Sequence, residues 1–435
     1  MRAVVLVDGE HYPPVTLQAI DHLRARFDVV AAAFIGGIEK IGSSLTLGDL
    51  PVVVDANQRV ALETAIDRFD PEVVIDVSDA PVLDNHKRFV LASVALARGV
   101  AYEGAGFRFD VPPRPRLTTR PTVSIIGTGK RTGKTAVAAT FARHAVARNA
   151  RPVIVAMGRG GPAEPVVVRS SPTVSDLVAL SDRGEHAASD VYEDAVVAGV
   201  TTVGARRAGA GFSGATIFDT VAAAVQAAEA EEPDVIILEG SGTSVPPARA
   251  DATILVVGGG TPPGEILYGM GPYRLLIADL ALVTMAEEPV LSSETVSALS
   301  FQISELARDI PIVRTVFRPA PVGSVRGRSV YFATTAPEAV GPALVRHLED
   351  AHGAKVVGIT HRLADRAALA ADLSGAGGTY EVLLTELKAA AVDVAARAAL
   401  AAGAEVAFAD NILVAGHGAV ADSFDAILRT AGVPV

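Results

Sequence analysis

Gly127-Thr128-Gly129-Lys130-Arg131-Thr132-Gly133-Lys134-Thr135 follows the apolar run Val123 to Ile126 and precedes an alanine-rich stretch of helical character. A turn of this kind between strand and helix aims successive backbone N–H groups, a helix N-terminus and the Lys134 ammonium into one concavity, which suits a chain of phosphates. The Thr135 hydroxyl is placed for Mg2+. The spacing departs from the plain G-x-x-x-x-G-K-[ST] pattern, because Thr128 stands where its first glycine belongs and Gly127 comes one residue earlier. The core Gly133-Lys134-Thr135 is intact, so a nucleotide phosphate and Mg2+ are the expected ligands.

Other segments offer groups for the same chemistry. Asp234-Val235-Ile236-Ile237-Leu238-Glu239 is an apolar strand closing on a carboxylate. Mg2+ prefers oxygen ligands and keeps several waters, so Glu239 is expected to join Thr135 as its ligand. The strand Val153 to Met157 runs into Gly158-Arg159-Gly160-Gly161, and ligands of open α/β sheets lie beyond such carboxyl ends. Arg159 is therefore expected to clamp a phosphate. Arg206-Arg207, within the glycine-rich stretch from Gly204 to Gly214, is expected to act from a closing loop through bidentate contacts. The Asn-Lys-x-Asp run of guanine-selective enzymes is missing from Val283-Thr284-Met285-Ala286-Glu287-Glu288, which favours ATP. Phe317-Arg318-Pro319 and the basic residues up to Arg328 either contact the nucleotide or form a basic hairpin. Near the amino terminus, Gly9, Glu10, His11 and Tyr12 crowd the turn after the first strand and read as a substrate site. Lys388 opens a helix after another strand and is placed to reach a phosphate. The remaining histidines, His417 among them, show no ligand-like pairing.

These residues need a scaffold, and the sequence implies one. Short Val/Ile-rich runs alternate with longer amphipathic stretches, the pattern of an α/β fold with mostly parallel sheets. A chain of 435 residues exceeds one ordinary core. Four prolines between Asp110 and Pro121 make a stiff connector. We therefore expect an N-terminal α/β domain over 1–115, a central phosphate-loop domain over 121–345 and a small C-terminal α/β lobe over 346–435. The absence of cysteine excludes disulfides and thiolate nucleophiles, and a net charge of −11 gives no general attraction to nucleic acid or anionic membrane. No apolar run approaches the roughly eighteen residues of a membrane span, and no signal-peptide pattern opens the chain, so a cytoplasmic protein is expected.

The shifted loop together with Leu238-Glu239-Gly240-Ser241-Gly242 resembles the dethiobiotin synthetase branch of P-loop enzymes. The run Val7-Asp8-Gly9-Glu10-His11-Tyr12-Pro13-Pro14-Val15 and the whole-chain layout are similar to the cyclic 2,3-diphosphoglycerate synthetase family. The resemblance covers essentially the entire chain. It implies ATP-dependent closure of an intramolecular phosphoanhydride in 2,3-diphosphoglycerate, with release of ADP and phosphate, in a protein that is often a homodimer. It also implies that Lys134 bridges the β- and γ-phosphates while Lys130, Arg159, Arg206 and Arg207 neutralise migrating or bound phosphate. Gly9 to Tyr12 would take the glycerate carboxylate or a phosphate. Two other readings fit the loop alone: a different ATP-dependent ligase or kinase acting on a small acid, and a nucleotide-gated switch.

Overall fold

The computed structural model describes residues 1–435 except 41–44, 263–265, 308, 415–418 and 435, so His417 lies outside the described residues. The chain divides into two compact units. One comprises Met1–Pro113, Gly264–Ile277 and Glu305–Ala307, and the other Arg114–Pro263, Ala278–Ser304 and Arg308–Val435.

The first unit is built on a six-stranded sheet in the order Val52–Val54, Asp28–Phe34, Arg2–Val7, Val73–Asp76, Ala101–Gly104, Phe107–Phe109. All neighbours run parallel except the last pair. Arg2–Val7 is buried along nearly its whole length, as a parallel strand covered by helices on both faces must be. Chain order reverses between Arg2–Val7 and Val73–Asp76, which opens a crevice beyond their carboxyl ends. The helix Gly271–Leu276 belongs to this unit, and the Ser93 hydroxyl donates to the Met270 sulfur at 3.2 Å. The segment from Leu275 to Met285 is the end of this helix followed by the strand Leu280–Thr284. The expected span 121–345 is thus interrupted by residues that pack elsewhere.

The second unit holds two sheets. The central one runs Phe218–Asp219, Thr202–Ala208, Pro152–Gly158, Val235–Glu239, Thr122–Gly127, Ala252–Gly258, Leu280–Thr284, Ile312–Arg314, with Val166–Val168 paired antiparallel beside Thr202–Ala208. The other runs Val316–Pro321, Glu405–Val414, Val382–Glu386, Ser329–Ala333, Lys355–Thr360. It takes its first strand at Val316, well before residue 346, because Val316–Pro321 pairs antiparallel with Glu405–Val414 from the far end of the chain. The helix expected to open at Lys388 begins instead with a turn and becomes a π-helical segment Ala391–Ala396 and a short α-helix Arg397–Ala401.

The two sheets of this unit share one core. Val137, Phe141 and Ala145 on the helix Lys134–Ala147 pack in the same cluster as Leu373, Ala395, Phe424 and Leu428. Phe141 and Phe424 meet edge-on at 5.0 Å between ring centroids. Around that contact Asp425 accepts from His144 at 2.7 Å and from Arg148 at 2.8 and 2.7 Å. The helix that follows the phosphate loop therefore also carries the third sheet. Among the described residues no helix is long and apolar enough to cross a membrane.

Phe424→Ala should cost about 3–5 kcal/mol in urea unfolding, since the side chain is fully buried and leaves a cavity against Phe141. Arg148 and His144 hold the Asp425 carboxyl well below the usual carboxylate range. Its contribution to stability is complete above the ordinary carboxylate pKa and is lost as pH falls below it. Asp425→Asn should lower the melting temperature at neutral pH and flatten the acid side of the stability curve below about pH 4. Equal loss at every pH would contradict this.

Candidate functional site

Thr122–Gly127 is buried throughout and delivers the loop at the carboxyl edge of the central sheet, flanked by Val235–Glu239 and Ala252–Gly258. Gly133 caps the helix Lys134–Ala147 with φ of +93°, and a Cβ built there would lie 2.2 Å from Cζ of Phe317. Both facts require glycine. The Thr284 hydroxyl donates to the Thr132 carbonyl at 2.8 Å, and the Thr128 and Thr261 hydroxyls bond at 3.0 Å. Thr128, in the place of a glycine, thus ties the loop to the segment after Ala252–Gly258. Lys134 folds over its own loop and donates to the Gly129 carbonyl at 2.7 Å and to Thr132 Oγ1 at 3.3 Å. Burial pushes its ammonium down to about 8, against the pull of Glu239 and Asp190. Lys130 and Arg131 are exposed on the outside of the loop.

Glu239 stands where the sequence places it. The Thr135 hydroxyl donates to Glu239 Oε1 at 2.8 Å, while Oε2 is buried and receives no hydrogen bond from a described N–H or hydroxyl. Burial, then the charge of Asp190, pushes Glu239 up to about 7. The fully buried Asp194 carboxyl faces it, and burial followed by the Glu239 charge drives Asp194 well above the carboxylate range. A hydroxyl and an acid with an unclaimed buried oxygen are the donor set Mg2+ accepts, with water completing its shell. Thr135 and Glu239 fit that ion.

Arg159 and Arg207 converge. A Cβ built on Gly242 would lie 2.5 Å from Arg159 Nη2 and 3.4 Å from Arg207 Nη2. Arg207 is buried and donates to the Gly209 and Ser241 carbonyls at 2.8 and 2.7 Å, and its Nε has no partner among the described residues. Among the described residues no carboxylate pairs with either guanidinium at ion-pair distance. Arg206 lies elsewhere. The stretch expected as a closing loop begins as the strand Thr202–Ala208, so successive side chains take opposite faces. Arg206 is exposed and its Nε donates to the Gly161 carbonyl at 2.8 Å, bracing the turn that carries Arg159. Lys388 is already engaged, 3.4 Å from Glu193, and the carboxylates of Glu193 and Glu386 raise its ammonium against the effect of burial.

The N-terminal cluster lies in the first unit. Asp8 is buried and accepts from the Glu10 and His11 amides at 3.0 and 3.1 Å, from His11 Nδ1 at 2.8 Å and from the Asp79 amide at 2.7 Å. Beside it Asp76 accepts from Arg88 Nε at 3.0 Å and the Tyr102 hydroxyl at 2.9 Å. Glu10 is raised by burial and by its hydrogen bond with Glu39. Tyr12 is exposed and caps the helix Pro13–Leu23 without a side-chain bond. Sequence reasoning missed Asp76, Arg88 and Tyr102, and in the second unit Asp190, Glu193 and Asp194. The latter three had a signal, since carboxylates spaced i, i+3, i+4 on an otherwise apolar helix share one face.

Family models of cyclic 2,3-diphosphoglycerate synthetase match the chain as an N-terminal domain over residues 2–110, a P-loop domain over 122–316 and a C-terminal domain over 321–412. The chain belongs to that family. A cyclic 2,3-diphosphoglycerate synthetase of Rubrobacter xylanophilus is 43% identical over 420 residues, covering 95% of each chain. One of Methanothermus fervidus is 40% identical over 445 residues, covering 98% of this chain and 96% of the relative. One of Thermococcus kodakarensis is 43% identical over 415 residues and covers 94% of each. The shifted glycine pattern of the loop is therefore part of a nucleotide-binding P-loop domain.

Gly133→Ala should abolish detectable ADP binding in calorimetry and lower the unfolding free energy by about 1–3 kcal/mol through backbone strain and the clash with Phe317. Gly260→Ala, at a position with open space around it, should change neither.

Proposed function

We propose that this protein closes 2,3-diphosphoglycerate into its cyclic phosphoanhydride at the expense of ATP. The observation that carries the reading is the convergence of Lys134, Arg159 and the buried Arg207 beside Thr135 and Glu239, with neither guanidinium at ion-pair distance from a carboxylate among the described residues. Charges so arranged await an anion. Two unit charges about 4 Å apart repel by ~4 kcal/mol at an effective dielectric of 20, and joining phosphates brings several such pairs together.

In the first step an oxygen of one substrate phosphate attacks the γ-phosphorus of ATP. The β–γ anhydride bond breaks, ADP leaves and the substrate carries a diphosphate. An oxygen of the second substrate phosphate then attacks the phosphorus still bonded to the glycerate. The new P–O–P link closes the ring and inorganic phosphate departs. Lys134 moves from its loop carbonyl to the β- and γ-oxygens, which restores the full charge that burial weakens. Arg159 and Arg207 hold the substrate phosphate in line with the γ-phosphorus, and Arg206 keeps the Arg159 turn in place. Preorganised cations of this kind contribute most of the rate in phosphoryl transfer. Thr135 and Glu239 would hold Mg2+, which neutralises phosphate charge when bound. The exposed Lys130 would approach the phosphates from the solvent side.

The N-terminal turn supports a narrower role than anion capture. Asp8 spends both oxygens on backbone and His11 donors, and Glu10, Glu39, Asp76 and Asp79 crowd the same crevice, so polar hydroxyl groups suit it better than a phosphate. Lys388, tied to Glu193, would tune the acidic helix behind the loop rather than touch substrate.

With Mg-ATP and 2,3-diphosphoglycerate, phosphorus NMR should show new anhydride resonances together with ADP and phosphate. Arg207→Ala should cut turnover by at least about 10²-fold, as expected when a transition-state cation is removed, and Glu239→Gln should raise the Mg2+ needed for half-maximal rate. Stoichiometric ADP release without a cyclic product, or full activity in Arg207→Ala, would overturn the reading.

A further inference from the structure

Phe317 is unexplained by anything above. It is a half-buried aromatic ring delivered to the phosphate loop by Val316–Pro321, the first strand of the third sheet. Its contact with Gly133 is made by the distal edge of the ring, through Cζ and Cε2, rather than by a face. The loop thus has an aromatic group beside it that its own fold does not need for burial.

The surroundings fix which side of the loop this is. The reacting phosphates belong with Glu239, Arg159 and Arg207, all at the carboxyl ends of Val235–Glu239, Pro152–Gly158 and Thr202–Ala208. Those strands lie to one side of Thr122–Gly127 in the central sheet, and Ala252–Gly258, Leu280–Thr284 and Ile312–Arg314 lie to the other. A nucleotide whose terminal phosphate points to the first side must extend its nucleoside toward the second. There the loop is bonded to Thr284 and Thr261, and the chain leaving Ile312–Arg314 arrives at Phe317 two residues after Thr315, whose amide donates to the Val283 carbonyl at 2.8 Å. The ion pair of Arg318 with Glu287, at 2.6 and 2.7 Å, ties this strand to the segment after Leu280–Thr284. Arg318 alternates to the opposite face from Phe317, so the pair fixes the strand and leaves the ring to the loop side.

We infer that Phe317 is the stacking platform for the nucleobase of the bound nucleotide, so that the third sheet supplies the base-binding wall of the phosphate-loop site. The inference rests on the nucleotide reading above and extends it to a part of the chain that the loop motif does not include. A purine is the chemical class with the largest flat surface for such a ring, and base–aromatic stacking is sequence-tolerant because every base has a π-face. The platform therefore contributes affinity, while discrimination among bases would come from edge contacts.

The chain contains no tryptophan, so Phe317→Trp installs a single indole reporter at this position. Its fluorescence should be quenched saturably by ADP, with a midpoint matching the calorimetric affinity, and should change much less with tripolyphosphate, which has no base. Phe317→Ala should weaken ADP binding by about tenfold while leaving tripolyphosphate binding close to that of the parent. A purely structural role at Gly133 predicts the opposite pattern, with both ligands weakened alike. Calorimetry on the parent separates the two levels. If ADP fails to bind the parent, the nucleotide reading itself falls. If ADP binds but leaves the indole unaffected, or if Phe317→Ala loses ADP and tripolyphosphate equally, the platform is wrong and the nucleotide reading stands.

Discussion

Uncompensated cations held rigid by backbone carbonyls are the constraint on which the second unit is arranged. Arg207 is buried and bonds to the Gly209 and Ser241 carbonyls, and Arg159 approaches it at Gly242. Burying like charges together costs free energy that a carboxylate partner would ordinarily offset. Among the described residues, Asp190 draws on Lys134 and Arg207 alike. Of the nearby acids, Glu239 accepts from the Thr135 hydroxyl, and Asp194 is driven toward its neutral form by burial and by the Glu239 charge. Buried positive charge therefore gathers beside the phosphate loop with little carboxylate to offset it among the described residues.

That arrangement explains why the third sheet shares a core with the phosphate-loop domain. The helix Lys134–Ala147 begins at the phosphates and, further along, packs Phe141 against Phe424, while Arg143 Nη2 reaches Asp410 at 2.8 Å. On the acidic helix Asp190–Ala198, Glu193 is pushed up to about 7 by burial yet lies against Lys388 from the third sheet. Thr335 and Asn411 in turn saturate Glu386. The third sheet is thus anchored to both helices that frame the loop, and it presents Phe317 to Gly133 from the same rigid base. A separately folded lobe on a flexible linker could not hold a ring edge against a glycine at van der Waals distance.

The first unit follows a different logic. Its crevice lies at the reversal of strand order between Arg2–Val7 and Val73–Asp76, the position where parallel open sheets bind ligands. Its polar groups are acids satisfied by amides, a histidine, an arginine and a tyrosine. Such a network satisfies its own acids, in contrast with the cation pair of the second unit.

The sequence by itself determined the phosphate loop, the strand ending in Glu239, the α/β alternation and the connector after Asp110, because each is local. Glycine at Gly133, apolar periodicity and proline rigidity act within a few residues and need no partner from afar. Tertiary structure alone decided which cations meet. Arg206 and Arg207 are neighbours in sequence and opposites in space, since Thr202–Ala208 is a strand rather than the loop its glycines suggested. Lys388 was legible as a cation at a strand end, but its capture by Glu193 was not, nor was the pairing of Val316–Pro321 with Glu405–Val414 that brings Phe317 to the loop. Those contacts join residues far apart in the chain, where burial and charge balance are properties of the assembled fold and of no single segment.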